Sequence, residues 1–310
     1  MKKISILIPT YNEEENIKNL YNAISNEFHN NLKKYDYNII FIDNKSNDNT
    51  RKIIREICKT DKKVKAIFNV QNFGQFNSPY YGLMQTTSDA TILMCADFQD
   101  PIDMISKFIK EWENGYKIVI GIKTKSKENK LMYIFRTIYY KLIKKFSYVK
   151  QIEHFTGFGL YDKEFIDILK KLNDKEPYLR GIVSELGFDR KEIEYTQNKR
   201  AAGKTSNNFY RLYDAGMLGI TTYTKVPIRL ATLLGFIFST ISILIIIIYL
   251  LLKLIYWNSI SCIFLVIMGL FLLGSIQIFF IGLLGEYILN INRRVLNRPL
   301  VIEEERINFE

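Results

Sequence analysis

After an apolar run over 90–95, the chain sets Asp97 and Gln99 two residues apart. Carboxylate and amide oxygens are hard donors. The pair therefore suits a shared divalent cation, Mg²⁺ or Mn²⁺, whose other positions are filled by phosphate oxygens. Cys95 precedes Asp97 by two, so strand alternation would point both the same way. A thiol is a poor ligand for Mg²⁺, which leaves Cys95 out of the expected set. Asp100-Pro101 reads most simply as a helix N-cap followed by proline at the first helical position. Asp43 closes another apolar run; its carboxylate can accept from hydroxyls or a ring N–H, while Tyr11 offers a face for stacking. Arg200 and Lys204 lie in a polar, glycine-containing segment over 197–208. Long cations on a mobile loop suit closure over a diphosphate, although a solvated basic loop is the plainer reading of that segment alone. His154 reads more simply as structural than as a catalytic base, and His29 as a solvated helix residue.

These groups need a frame. Residues 3–8 form a short apolar strand ended by Pro9. A helix follows, with Ile17, Leu20, Ile24 and Phe28 at helical spacing and Glu13-Glu14-Glu15 in its first turn, where acids suit the dipole. Further strands are expected over 37–42, 64–68, 90–95 and 117–122, and helices over 49–58, 77–85 and 101–114. Such alternation predicts an α/β fold, a mostly parallel sheet with helices on both faces. Ligands then bind at the carboxyl ends of the strands, where the polar clusters fall. Neither G-x-G-x-x-G nor G-x-x-x-x-G-K-[ST] occurs, which argues against a dinucleotide enzyme and a P-loop NTPase.

The 310 residues carry a formal net charge of +11. With apolar spans on the same chain, membrane surface or phosphate is the expected partner, not nucleic acid. The cysteines Cys58, Cys95 and Cys262 are scattered and read as small apolar residues in a reducing compartment. The apolar run before Pro9 is too short for a signal peptide, so the globular part is expected in the cytoplasm. Residues 230–252 and 261–284 hold no charge, and each is long enough to cross a bilayer core. Lys225 and Arg229 precede the first and Arg293, Arg294 and Arg298 follow the second, against Lys253 alone in the turn. That bias predicts a transmembrane hairpin with both termini cytoplasmic, and Tyr256 and Trp257 at the interface. The expected organisation is a cytoplasmic domain over 1–228, two spans within 229–287 and a tail over 288–310. Helices over 125–148 and 207–224 are expected beside the membrane. In the first, Leu131, Ile134, Phe135, Ile138, Leu142 and Phe146 form an apolar stripe opposite Lys130, Arg136, Lys141, Lys144 and Lys145. Gly269 and Gly274 would let helices pack closely, so a homo-oligomer is possible.

The strand-end motifs carry a family resemblance. Ile6-Leu7-Ile8-Pro9-Thr10-Tyr11-Asn12-Glu13-Glu14, then Phe41-Ile42-Asp43, resembles the opening of family-2 glycosyltransferases with the GT-A fold. Asn72-Phe73-Gly74 and Ala96-Asp97-Phe98-Gln99-Asp100-Pro101 are similar to its polyprenyl-phosphate branch, which includes dolichyl-phosphate mannose synthases and bactoprenol glucosyltransferases. Phe155-Thr156-Gly157-Phe158-Gly159-Leu160-Tyr161, Arg180-Gly181, Arg200 to Ser206, Gly285-Glu286-Tyr287 and Arg298-Pro299 extend the resemblance over nearly the whole chain. It implies that Pro9, Tyr11, Glu13, Asp43, Asn72 and Asp97 hold a nucleotide-sugar donor. It implies a divalent cation on Asp97 and Gln99, with Arg200 and Lys204 beside them in catalysis. Lys123, Arg136 and Ser206 would meet the acceptor phosphate. Many relatives carry an acid where this chain has Cys95, and often Arg where it has Lys123; lysine keeps the charge but loses the bidentate fork.

The implied reaction moves a sugar from a nucleotide-sugar to polyprenyl (undecaprenyl) phosphate at the cytoplasmic face of a bacterial inner (plasma) membrane. The Phe-Thr-Gly-Phe-Gly-Leu version favours glucose from UDP-glucose, with UDP-GlcNAc, UDP-galactose and GDP-mannose open. A phosphate monoester, with a second pKa of about 6, is already largely ionised at neutral pH. It needs no general base, and one displacement inverts the sugar. A processive polysaccharide synthase is a rival, but it would carry a Gln-x-x-Arg-Trp run, which is absent. An inactive membrane scaffold of the same fold is the other, and Cys95 would suit it.

Overall fold

The structure, a computed structural model, describes residues 1–125, 147, 149, 152–202, 209–255 and 263–309. In chain order the elements are β1 (Lys3–Thr10), α1 (Ile17–Asn31), β2 (Asp36–Asp43), α2 (Thr50–Thr60), β3 (Val64–Asn69), α3 (Gly74–Met84), β4 (Ala90–Leu93) and α4 (Met104–Glu113). Then come β5 (Ile118–Lys125), β6 (Phe155–Asp162), α5 (Lys163–Leu172), α6 (Leu179–Glu185), β7 (Arg190–Thr196), α7 (Phe209–Tyr223), α8 (Val226–Ile255), α9 (Ile263–Val295) and β8 (Glu303–Ile307).

One eight-stranded sheet runs in the order β7-β5-β6-β4-β1-β2-β3-β8. Strands β3, β2, β1 and β4 are parallel neighbours, as the alternation predicts. Their continuous apolar runs follow from burial on both faces. Ile4, Ile6 and Ile8 of β1 pack with Ile17, Leu20 and Ile24 of α1. Leu7 points the other way, into a second cluster with Tyr80 and Leu83 of α3. The sheet is mixed at its flanks: β6 is antiparallel to β4 and β5, and β8 is antiparallel to β3. Gly159 lets β6 lie close on β5, since a Cβ there would sit 2.6 Å from the Val119 carbonyl oxygen.

Three local expectations need correcting. Helix α1 starts at Ile17, so Glu13, Glu14 and Glu15 precede it, and Glu13 and Glu14 have partners of their own. Strand β4 ends at Leu93, so strand alternation does not govern Cys95 and Asp97. Helix α4 starts at Met104 after Asp103, so Asp100 is not its cap.

Helices α8 and α9 cover the residues expected to form two spans, apart from 261–262, which lie outside the described residues. So does the turn expected at 256–259. Among the described residues one stretch, Gly269–Val295, is long and apolar enough to cross a membrane. Its side chains do not form a core: Phe271 and Ile278 are each more than 70% exposed, at 74% and 72%. The far end of α9 is tied to the sheet domain. Tyr287 donates to the Thr224 carbonyl at 2.7 Å, and Arg294 pairs with Asp174 at 2.8 Å. Helix α7 lies within the expected 207–224 helix, whereas 126–146 is outside the described residues.

Candidate active site

Three strand-end loops meet at the carboxyl edge of the sheet. Each turns through a non-glycine residue with positive φ: Asn12 at 57°, Lys45 at 65° and Phe98 at 59°. Such backbone is costly for side chains with a Cβ and gathers at functional sites. The loops after β1 and β2 are tied together. The Asn12 N–H donates to Ser46 Oγ at 2.9 Å, and the Asn47 N–H donates to Asn12 Oδ1 at 2.8 Å. Glu14 accepts from the Asn49 N–H at 2.9 Å, which gives that acid its role outside the helix.

Asp43 is fully buried, and its carboxylate is crowded with donors. Oδ1 accepts from Arg51 Nε at 2.5 Å and from the Ser46 N–H at 3.1 Å. Oδ2 accepts from the Ser46 hydroxyl and, at 3.4 Å, from Thr10 Oγ1. A carboxylate offers about four lone-pair sites, so little capacity is left over. In this geometry Asp43 shapes the loop. Asn72 is exposed, and its Oδ1 accepts from Asn44 Nδ2 at 2.9 Å and from the Gly74 N–H at 2.9 Å. Pro9 and Tyr11 are half-buried beside these loops.

The loop after β4 is held differently. Asp97 is 7% exposed, and its Oδ1 accepts from the Gln99 N–H at 3.2 Å. Segment 197–202, which follows β7, lies across this loop. The Asn198 N–H donates to the Gln99 carbonyl at 3.2 Å and the Ala201 N–H to the Asp97 carbonyl at 3.1 Å. That places Arg200 between two acids. It ion-pairs with Glu13, and its Nε lies 3.8 Å from Asp97 Oδ2. Glu13 also accepts from Asn16 Nδ2 at 2.6 Å. Burial pushes the Glu13 carboxyl above its ordinary value, against the pull of Asn16 and Arg200. Cys95 is exposed beside this group. Asp100 accepts from the Cys95 N–H at 2.9 Å and from the Tyr195 hydroxyl at 3.1 Å, stapling the loop to β7; burial pushes its carboxyl up to about 6.

Three expected residues, Glu13, Asp97 and Arg200, thus converge from positions far apart in sequence. Lys123 is buried on β5, where its N–H donates to the His154 carbonyl at 3.3 Å. Arg136, Lys204 and Ser206 lie outside the described residues.

The family model described as "Glycosyl transferase family 2" matches residues 5–169, more than half of the chain. The chain belongs to that family. The glycosyltransferase is similar over nearly its whole length to proteins named bactoprenol glucosyl transferase. One, from Shigella phage SfX, is 31% identical over 98% of this chain and 99% of its own. Another, from Shigella flexneri, is 32% identical over 97% of each. The putative glycosyltransferase CsbB of Bacillus subtilis is 31% identical over 97% of this chain and 91% of its own. A solved glucosyl-3-phosphoglycerate synthase from Mycobacterium tuberculosis aligns at a TM-score of 0.49 and 16% identity, over 71% of this chain and 77% of its own.

Among the described residues of this glycosyltransferase, no three His, Cys, Asp or Glu gather to hold a metal by themselves. Asp97, with Oδ2 turned toward a cation, offers one hard oxygen of the kind a divalent ion takes when phosphates supply the rest. The guanidinium of Arg200 beside Asp97 marks the spot as one that takes positive charge.

Several residues that build the site were not singled out from the sequence. Asn44 is one: it donates to Asn72 Oδ1, and its own Oδ1 accepts from the Phe73 N–H at 2.8 Å. Arg51 is another, and its signal was present. At helical spacing it shares a buried face with Ile54 and Cys58, and a buried cation requires a partner.

Proposed function

We propose that this glycosyltransferase moves glucose from UDP-glucose to polyprenyl (undecaprenyl) phosphate at the cytoplasmic face of a bacterial plasma membrane. One observation carries the reading most directly. Glu13, Asp97 and Arg200 converge at the strand ends of a chain aligned end to end with bactoprenol glucosyl transferases. Helices α8 and α9 form the membrane hairpin in this reading, with the sheet domain over 1–228 and the tail over 288–310 both cytoplasmic.

The acceptor phosphate oxygen attacks the anomeric carbon, and the bond from that carbon to the diphosphate oxygen breaks. The electron pair leaves with UDP, and the α-linked donor gives a β-linked lipid phosphate. No proton has to be removed from an ionised phosphate, so no side chain serves as general base. Asp97 and Gln99 would hold a divalent cation, Mg²⁺ or Mn²⁺, which would offset the charge of the diphosphate. Arg200 and Lys204 donate to the departing group, and Lys123, Arg136 and Ser206 receive the acceptor phosphate. Pro9, Tyr11, Glu13, Asp43 and Asn72 line or shape the donor side.

A thermal-shift screen of UDP-glucose, UDP-GlcNAc, UDP-galactose and GDP-mannose, each with Mn²⁺, tests the donor. UDP-glucose is expected to give the largest rise in melting temperature. A larger rise with GDP-mannose overturns the UDP assignment, and no rise with any of them overturns the donor site.

A further inference from the structure

Beyond α9 the chain returns to the sheet domain. Strand β8 adds to the free edge of β3, pairing Ala66 with Ile307 and Phe68 with Glu305. Its three consecutive acids each meet a cation or hydroxyl of the domain. Glu303 pairs with Arg306 and accepts from the Tyr81 hydroxyl at 2.8 Å. Glu305 pairs with Arg55 at 2.6 Å. Glu304 is placed differently: one carboxylate oxygen, Oε2, receives Lys45 Nζ at 2.8 Å and Arg51 Nη1 at 2.8 Å.

Lys45 belongs to the turn that follows Asp43, and Arg51 lies in the first turn of α2 just beyond it. Lys45 is the residue in that turn with positive φ, at 65°. Arg51 anchors the other side: Nε on Asp43 at 2.5 Å, Nη2 on the Asn69 carbonyl at 2.5 Å, and the guanidinium 5.3 Å from the Phe68 ring centroid. Asp43 and Arg51 are buried, whereas Glu304 is 42% exposed. An exposed acid contributes little to folding by itself. What it can do is fix the third corner of a guanidinium already bound at two, and hold the backbone of a strained turn.

From this geometry we infer that Glu304 is a positioning residue of the donor site. The C-terminal strand clasps the 43–46 turn in the form that receives the donor nucleoside. The inference rests on the donor-side role given to Asp43 and its turn in the proposed function. It also gives the returning tail a purpose: the donor turn is complete only when the chain has passed through α9 and docked.

The test is UDP binding to the full-length protein in detergent, with Mn²⁺, by titration calorimetry, with melting temperatures measured on the same samples. Glu304→Gln and Lys45→Gln are each expected to raise the dissociation constant about fivefold, the scale of one ordered charged contact. The double variant should be no weaker than the weaker single, because Glu304→Gln already removes the charged contact that Lys45→Gln removes. Glu305→Gln, which loses a β8 ion pair away from the turn, should stay within about twofold of wild type. Equal loss in Glu305→Gln would overturn the specific role and leave general docking of the strand. Ser46→Ala loosens Asp43 from inside the turn and separates the two claims. If it weakens UDP binding while Glu304→Gln and Lys45→Gln do not, the clasp is wrong and the donor reading stands. If all three bind UDP as wild type does, the donor role of the turn falls as well.

Discussion

The loop after β2 and the loop after β4 lie on either side of the loop after β1 and are held by opposite means. Asp43 is fully buried, with Arg51, Ser46 and Thr10 filling its carboxylate. Asp97 keeps one oxygen for the Gln99 N–H and turns the other toward Arg200, at 3.8 Å. The first carboxylate is committed to the protein. The second is paired loosely with a cation on a segment that follows β7, an arrangement a divalent ion and a diphosphate could replace. Asp43 is thus held by the protein on both oxygens, whereas Asp97 keeps one oxygen turned toward a cation.

Substitutions at the two acids should separate these roles. Asp97→Asn should cut turnover on the order of 10³-fold, the scale of losing a central electrostatic group, with little change in melting temperature. Label transfer to lipid at saturating donor checks it; loss below tenfold would remove Asp97 from the centre. Asp43→Ala should do the reverse and destabilise the protein by about 3 kcal/mol, because the buried Arg51 loses its buried partner and keeps only the exposed Glu304. A thermal melt reads this, and an unchanged midpoint would show that the pair is not structural. Arg200→Gln should lower turnover about tenfold yet tighten Mn²⁺ binding severalfold in the absence of nucleotide, since a competing charge near 4 Å is gone. Weaker Mn²⁺ binding in that variant would contradict the loose-pair description.

The smallest effect concerns acid. Lys45 and Arg51 hold the Glu304 carboxyl down from its ordinary value of 4.5 to about 2. A depressed carboxyl stabilises the fold above its ordinary value and loses that contribution as pH falls through the folded one. Wild type and Glu304→Gln should therefore differ slightly in melting temperature above about pH 4.5 and converge toward pH 2. A constant difference across that range would mean the carboxylate charge is not what matters.

Much of this was legible in the sequence. Strands β1, β2 and β3 read clearly because burial on both faces leaves unbroken apolar runs. Strand β6 is hard to read from sequence, since Gly157 and Gly159 break its β pattern. Strand β8, Glu303–Ile307, looked like a charged tail. Its edge position explains that: ion pairs with α2 and its preceding loop do the work that apolar side chains do in the centre. The proline after Asp100 suggests a helix cap, while the partner that decides its role, Tyr195, lies 95 residues away. The Glu13–Arg200 pair spans 187 residues, a juxtaposition that only the ordered motifs could suggest.

The central claim is transfer to a lipid phosphate, and one measurement addresses it directly. Purified protein would be incubated with radiolabelled UDP-glucose, Mn²⁺ and undecaprenyl phosphate, and the label partitioned between water and organic solvent. The account predicts label in the organic phase, released as glucose by mild acid, with one UDP formed per sugar moved. Label in a water-soluble polymer, or UDP formed without any labelled lipid, would contradict it.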